Sequence, residues 1–132
     1  MQRIFHTPEG VRDIYNGECM QKHKLQEKLL RVFCRYGYEE IETPTFEYFE
    51  VFSREVGTIP SKDLYKFFDR EGNTLVLRPD FTPSVSRACA TYFSPDKEVI
   101  NLCYTGNTFI NNSSLRGQIK GKYPDGRGEN RG

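Results

Sequence analysis

An apolar stripe with the period of an α-helix runs through the first third of the chain, and it constrains the fold more than any other sequence feature. Its large apolar residues recur at steps of three and four: Leu25, Leu29, Val32, Phe33 and Tyr36. This spacing places them on one face of a helix. Asn16 is a suitable N-cap, Glu18 favours the positive first turn, and Gly37 suits the left-handed position past the last turn. We therefore predict an amphipathic helix from Glu18 to Tyr36.

Short apolar runs between turn residues predict the strands. Four runs qualify: residues 38–43, 64–68, 75–77 and 99–104. The link between the second and third is typical of a hairpin, because Gly72 and Asn73 accept positive φ. Gly106, which follows the last run, either breaks that strand or lets another group approach closely.

A second helix is expected after residue 81. Thr82 is a natural N-cap, and Pro83 is a natural first helical residue. Its inner face is expected to comprise Val85, Ala88, Cys89 and Tyr92. The turn-rich residues 94–96 end it. The aromatic-rich residues 46–52 leave the type of their element open.

The order helix, strand, hairpin, helix, strand predicts an α+β fold, with a mostly antiparallel sheet flanked by helices. A length of 132 residues suits one domain. We expect residues 1–115 to form its core. Residues 116–132 hold five glycines and a net charge of +3, with almost no large apolar side chain. We therefore predict a flexible, Gly-rich basic tail there.

Charge and cysteine usage exclude several classes of function. The net charge of +1 lacks the basic excess of most nucleic-acid readers, so no nucleic-acid partner is expected. The chain has neither a signal-like N-terminus nor an apolar run long enough for a membrane, which favours a cytoplasmic protein. The cysteines are too widely spaced for a C-x-x-C pair, and we expect four buried, reduced thiols: Cys19, Cys34, Cys89 and Cys103.

Three stretches resemble, in order, the histidine type of class II aminoacyl-tRNA synthetase core. Residues 8–13, PEGVRD, are similar to the opening signature of that family. Residues 37–44, GYEEIETP, follow the amphipathic helix and resemble motif 1, which builds the dimer interface in the family. Residues 77–82, LRPDFT, and 104–109, YTGNTF, resemble the Arg-Pro-Glu-x-Thr segment and the first strand of motif 2. The resemblance extends over about residues 3–115.

Two families share this core. One is histidyl-tRNA synthetase, which activates histidine with ATP and charges tRNA. The other is the regulatory subunit of ATP phosphoribosyltransferase in histidine biosynthesis, which assembles with a short catalytic subunit and mediates histidine feedback. The amino-acid sequences of residues 8–13 and 75–82 resemble those of the regulatory subunit more closely.

The residue after Phe109 favours a protein without synthetase chemistry. The synthetases place an arginine there to bind the α-phosphate of ATP, because a planar guanidinium bonds two oxygens at once. Here that position is Ile110, and the acidic position two residues further on is Asn112. Arg116 is the alternative cation. The second strand of motif 2 is not evident in the tail, and motif 3 would lie beyond residue 132.

Asp80 and Thr82 match the positions by which histidyl-tRNA synthetases hold the amino group of histidine. A carboxylate and a hydroxyl both accept hydrogen bonds from an ammonium group. The alternative is that both only cap the helix that starts beside them. Arg78 is expected to be a structural partner for a nearby carboxylate.

The remaining polar residues are interpreted as structural. His6 and His23 lack a nucleophile or metal partner in the sequence. The acidic cluster is expected to be a solvated strand face and a dimer rim, not a metal site: Glu39, Glu40, Glu42, Glu47 and Glu50.

The sequence therefore predicts a non-catalytic regulatory subunit of ATP phosphoribosyltransferase with no cofactor, no metal and no catalytic residue. The expected partner is the short-form catalytic subunit, and the expected effector is histidine, bound at Asp80 and Thr82. We also expect a homodimer built from the region between Glu18 and Thr43. The alternatives are a fragment of a histidyl-tRNA synthetase and a dimerisation module that reuses the core.

Overall fold

The computed structural model describes residues 3–53, 59–96 and 99–111. The described residues divide into two compact units, one within residues 3–36 and one within residues 37–111. The predicted tail at 116–132 lies outside the described residues. A core over residues 1–115 therefore stays a prediction.

The first unit contains α1, Asn16–Arg35, so the main predicted helix is confirmed. Asn16 was wrongly predicted as its N-cap. The N-cap is Tyr15, which makes no side-chain hydrogen bond, and Asn16 is the first residue of the helix, with a left-handed φ of 52°. Arg12 instead secures the first turn, donating to both carboxylate oxygens of Glu18 at 2.6 and 3.2 Å. These bonds hold the pKa of Glu18 below its usual value. Gly37 ends the helix as predicted, at φ 87°.

The apolar stripe of α1 is exposed. No residue of this helix is buried, and Leu25 and Leu29 are 57% and 48% exposed. A helix with one apolar face and no cover over it is typical of a segment that packs against another chain or another part of the same protein. Among the described residues, no helix is long and apolar enough to cross a membrane.

The prediction of four buried thiols was wrong. Cys103 is buried, Cys19 and Cys89 are half-buried, and Cys34 on α1 is exposed. Cys34 lies on α1, a helix in which no residue is buried. None of the four, all of which are described, forms a disulfide.

The described residues of the second unit form five strands in two sheets. They are β1 (Glu39–Glu40), β2 (Phe46–Tyr48), β3 (Lys66–Phe68), β4 (Thr74–Leu77) and β5 (Leu102–Cys103). One sheet is antiparallel with the order β2-β4-β3, and β1 pairs with β5 in parallel. The predicted α+β class with a mostly antiparallel sheet is confirmed. The strands predicted at 38–43 and 99–104 are each two residues long.

The predicted hairpin joins β3 to β4. The Asp69 carboxylate accepts hydrogen bonds from the Glu71 and Asn73 amides at 3.0 and 2.8 Å, and from the Asn73 side chain at 2.9 Å. The Asn73 side chain contributes most to lowering the pKa of Asp69 below its usual value. Gly72 adopts the predicted positive φ, at 87°.

In the described part of this unit, two α-helices cover the sheet: α2 (Phe49–Ser53) and α3 (Thr82–Tyr92). The undecided residues 46–52 therefore divide between β2 and α2. Phe52, Leu64 and Val76 form the buried core. Ala88 of α3 is buried as predicted, whereas Tyr92 is 75% exposed, so its assignment to the inner face was wrong.

A half-buried ion pair ties α3 to β2. Glu47 was expected on a solvated face, but it is buried and accepts from Arg87 Nη2 at 3.0 Å and Nε at 3.1 Å. Glu47 faces the same side of the sheet as its cross-strand neighbour Val76, which is fully buried. The alternation of side chains along β2 therefore directs Glu47 inward.

Candidate functional site

The segment between β4 and α3 carries the two predicted ligand residues. Asp80 and Thr82 are both exposed, and Asp80 Oδ1 accepts from the Thr82 amide at 3.4 Å. Thr82 was wrongly predicted as the N-cap: Phe81 occupies that position, and Thr82 is the first residue of α3. Because the Asp80 carboxylate already bonds the first helical amide, the Thr82 hydroxyl is not needed for capping. Within the described residues that hydroxyl makes no hydrogen bond.

A cavity of about 440 Å³ opens beside Asp80. Its other lining residues are apolar: Phe52, Ile59, Pro60, Leu64, Pro79 and Pro83. Thr82 does not line it. A single carboxylate in an otherwise apolar cavity suits a ligand that has an ammonium group on an apolar body.

Arg78 connects three segments of the second unit. Its Nε donates to the Asn107 carbonyl at 2.7 Å, and its Nη1 donates to the carbonyls of Thr43 and Pro44 at 3.2 and 3.4 Å. Its guanidinium also lies 4.5 Å from the centre of the Phe81 ring. The predicted carboxylate partner was wrong: among the described residues, none lies within 4.0 Å of this guanidinium. Three backbone carbonyls take that role, and burial lowers the pKa of Arg78.

Gly106 allows this arrangement. A β-carbon at this position would lie 2.5 Å from Arg78 Nη2 and 3.1 Å from the Phe81 ring. The close approach that the sequence predicted as one option for Gly106 is therefore confirmed.

Residues 109–111 run beside Arg78. The Phe109 amide donates to the Arg78 carbonyl at 2.9 Å, and the Asn111 amide donates to the Asp63 carbonyl at 2.7 Å. Ile110, half-buried, lies between these two bonds. The segment therefore passes directly beside the chain that leads into Asp80, whereas Asn112 and Arg116 lie outside the described residues.

Comparison with known proteins identifies the family. The family model for histidyl-tRNA synthetase matches residues 10–121. The chain belongs to the histidyl-tRNA synthetase family. This confirms the resemblance found in residues 8–13, 37–44, 77–82 and 104–109.

Curated relatives within this sequence group are named ATP phosphoribosyltransferase regulatory subunit. The protein of that name from Acetivibrio thermocellus is 42% identical over 115 residues, which are 87% of this chain and 28% of the relative. The one from Ruminiclostridium cellulolyticum is 45% identical over 104 residues, 79% of this chain and 25% of the relative. The chain thus spans about a quarter of the length of these relatives.

Solved structures agree with both names in the family. A Bacillus halodurans protein described as an ATP phosphoribosyltransferase regulatory subunit/histidyl-tRNA synthetase superposes with a TM-score of 0.71 at 34% identity, covering 81% of this chain and 28% of that one. The apo histidyl-tRNA synthetase of S. aureus superposes with a TM-score of 0.67 at 28% identity, covering 79% and 29%. The predicted class II synthetase-like fold is confirmed.

The structure brings together the two family-like segments, residues 77–82 (LRPDFT) and residues 104–109 (YTGNTF). Arg78 does this because its Nε donates to the Asn107 carbonyl and its own carbonyl accepts from the Phe109 amide, and sequence reasoning missed that role. The partners of Arg78 are backbone carbonyl groups, which every residue has, so no side-chain pattern predicts them. Gly106 was the one available signal.

The two histidines make no contact that supports a catalytic or metal-binding role among the described residues. His6 and His23 are exposed. In the described part of the chain, no group of three His, Cys, Asp or Glu side chains is placed to hold a metal ion.

Proposed function

We propose that this chain is part of a cytoplasmic, non-catalytic regulatory subunit of ATP phosphoribosyltransferase. The observation that carries the proposal is the name shared by relatives that are 40–45% identical over 79–87% of the chain. Such a subunit assembles with the short catalytic subunit and mediates feedback by histidine.

The partner is tested by reconstitution. The longer protein that contains this chain is mixed with a short-form catalytic subunit and passed through a sizing column, and phosphoribosyl transfer to ATP is then assayed with and without it. Co-elution together with increased activity supports the proposal. Separate elution with unchanged activity overturns it.

The lack of synthetase chemistry is proposed from position 110. Adenylate formation develops negative charge around the α-phosphate, and a preorganised cationic donor that stabilises it is typically worth about 10²–10³ in rate. Ile110 offers neither charge nor a hydrogen bond, and a half-buried apolar side chain desolvates a phosphate brought near it.

A fragment of a histidyl-tRNA synthetase is the second candidate, favoured by the description of the matching family model. Histidine-dependent ATP–pyrophosphate exchange by the longer protein separates the two. We expect background exchange, and little recovery in Ile110→Arg because Asn112 remains. Robust exchange by the unmodified protein, with charging of tRNA, establishes the synthetase function instead.

Histidine is proposed to bind beside Asp80 and Thr82. The Asp80 carboxylate lines an apolar cavity, and the Thr82 hydroxyl makes no hydrogen bond in the described residues, so both have acceptor capacity for an ammonium group. Calorimetric titration with histidine tests this. Asp80→Asn and Thr82→Val are expected to weaken binding by about tenfold. Glu71→Gln, in the hairpin turn, is the matched control, and equal weakening by all three variants refutes the assignment.

Homodimerisation through the region from Glu18 to Thr43 is proposed from the exposed stripe of α1. We expect Leu25→Glu to shift sedimentation at micromolar concentration toward monomer, because it places a charge on the apolar face. Lys24→Glu places the same side chain one position away, on an exposed polar residue, and is expected to leave the dimer intact. A monomer before any substitution rejects the interface for this chain.

A further inference from the structure

The Asp80 side chain has little that fixes its position, although the proposed histidine site depends on it. Asp80 is exposed. Within the described residues its carboxylate has one hydrogen bond, from the Thr82 amide, and that bond is long at 3.4 Å. Because a binding group needs a defined position before the ligand arrives, the backbone beside Asp80 has to supply that position.

The residue after Asp80 has a half-buried ring that is packed against three groups. The centroid of the Phe81 ring lies 4.5 Å from Cζ of Arg78 and 5.1 Å from the centroid of the Tyr104 ring. A guanidinium over an aromatic face and two neighbouring rings both attract one another. The ring also lies against Gly106, where a β-carbon would be 3.1 Å from it. These contacts hold the Phe81 side chain in one place.

The strongest partner of this ring is itself fixed. Arg78 is 8% exposed, and its guanidinium donates to three backbone carbonyl groups. Phe81 is also the N-cap of α3, and its carbonyl accepts from the Val85 amide at 3.0 Å. The backbone at residue 81 is therefore anchored through its side chain to Arg78 and through its carbonyl to the helix.

We infer that Phe81 is the positioning residue of the Asp80 site. Its anchored backbone joins Asp80 to Thr82, and it fixes the carboxylate and the hydroxyl relative to each other and to the cavity. Phe81 does not line that cavity, so it acts through its two neighbours without touching the ligand. The inference rests on the proposed binding of histidine beside Asp80 and adds the residue that orients the binding groups.

Calorimetric titration of the 132-residue chain with L-histidine tests this role. Phe81→Leu keeps an apolar side chain but removes the ring, and we expect it to weaken binding by about tenfold. Tyr104→Leu, which removes one ring contact at a residue 43% exposed, should show a smaller loss in the same direction. Phe68→Leu is the matched control, because it makes the same substitution at a ring 71% exposed, and it should leave the affinity unchanged.

A double variant distinguishes positioning from general support of the fold. When Asp80→Asn has already removed the carboxylate, Phe81→Leu should weaken binding by much less than tenfold, since the contact that it positions is absent. An equal loss in both backgrounds shows that Phe81 does not act through Asp80, and it overturns the inference. Unchanged affinity in Phe81→Leu overturns it as well.

Amide exchange measured by NMR without ligand separates this inference from the histidine proposal. Phe81→Leu should speed solvent exchange of the Thr82 amide by about fivefold, because its bond to Asp80 depends on the position of residue 81. The Phe93 amide, which bonds the Cys89 carbonyl at the other end of α3, should be unaffected. Faster exchange along the whole helix, or an unchanged Thr82 amide, overturns the positioning role. If the unmodified chain binds no histidine while exchange changes as expected, only the histidine proposal fails.

Discussion

Substituting Gly106 by alanine tests whether Arg78 holds its three segments together. The new β-carbon would lie 2.5 Å from Arg78 Nη2, well inside contact distance, and 3.1 Å from Phe81. Arg78 cannot withdraw without stretching its bonds to Asn107 and Thr43. Overpacking of this kind costs about 1–3 kcal/mol, and a lost hydrogen bond from a charged donor costs about 1.5–3 kcal/mol. We expect the free energy of unfolding to fall by about 2 kcal/mol.

Urea unfolding followed by circular dichroism measures this loss. With a slope of about 1–3 kcal/mol per molar urea, the midpoint should fall by about 1 M. Gly17→Ala is the matched control, since a β-carbon there meets nothing within 4 Å. The double variant Gly106→Ala with Arg78→Lys removes Nη2, so its loss should be smaller than the sum of the two single losses. A Gly106→Ala midpoint equal to that of the unmodified chain, or strict additivity in the double variant, refutes the clash.

Three further predictions concern other contacts in the second unit. Ser84 Oγ is buried and has no hydrogen-bond partner among the described residues, so Ser84→Ala should leave the urea midpoint unchanged or raise the free energy of unfolding by up to about 1 kcal/mol, and a clear loss would reveal a partner. Glu47→Gln should lower the free energy of unfolding by about 1–2 kcal/mol, because the substitution leaves Arg87, whose side chain is 34% exposed, without its carboxylate partner. Glu50→Gln, the control, should leave the free energy of unfolding unchanged. Asp69→Asn should destabilise the chain near neutral pH, because the pKa of Asp69 is lowered from its usual 3.8 and the stabilisation is complete above that value and lost as pH falls through the folded-state pKa. Urea midpoints of this variant and the unmodified chain should therefore converge in acid, and a difference that persists there contradicts the ionic origin.

Local signals in the sequence predicted the elements whose contacts are local. The stripe of α1 and the Asp69 turn each depend on residues within a few positions of one another, so spacing alone was sufficient. The parallel pairing of β1 with β5 was missed because two-residue strands show no alternation. Asp80 and Thr82 were found through a family motif, but which of them caps α3 depended on backbone geometry. The connecting role of Arg78 was missed because its bonds reach Thr43 and Asn107, which are 35 and 29 positions away.

The pairing of β1 with β5 has a consequence for the order of folding. Glu39 and Leu102 face each other although they lie some sixty residues apart, whereas the hairpin of β3 and β4 closes over only a few residues. Long-range closure carries a larger entropic cost before any contact rewards it. The short parallel pair should therefore form late, after the hairpin, and open first in native-state hydrogen exchange. The Glu39 and Ile41 amides, which bond across that pair, should exchange with solvent sooner than the amides of β4.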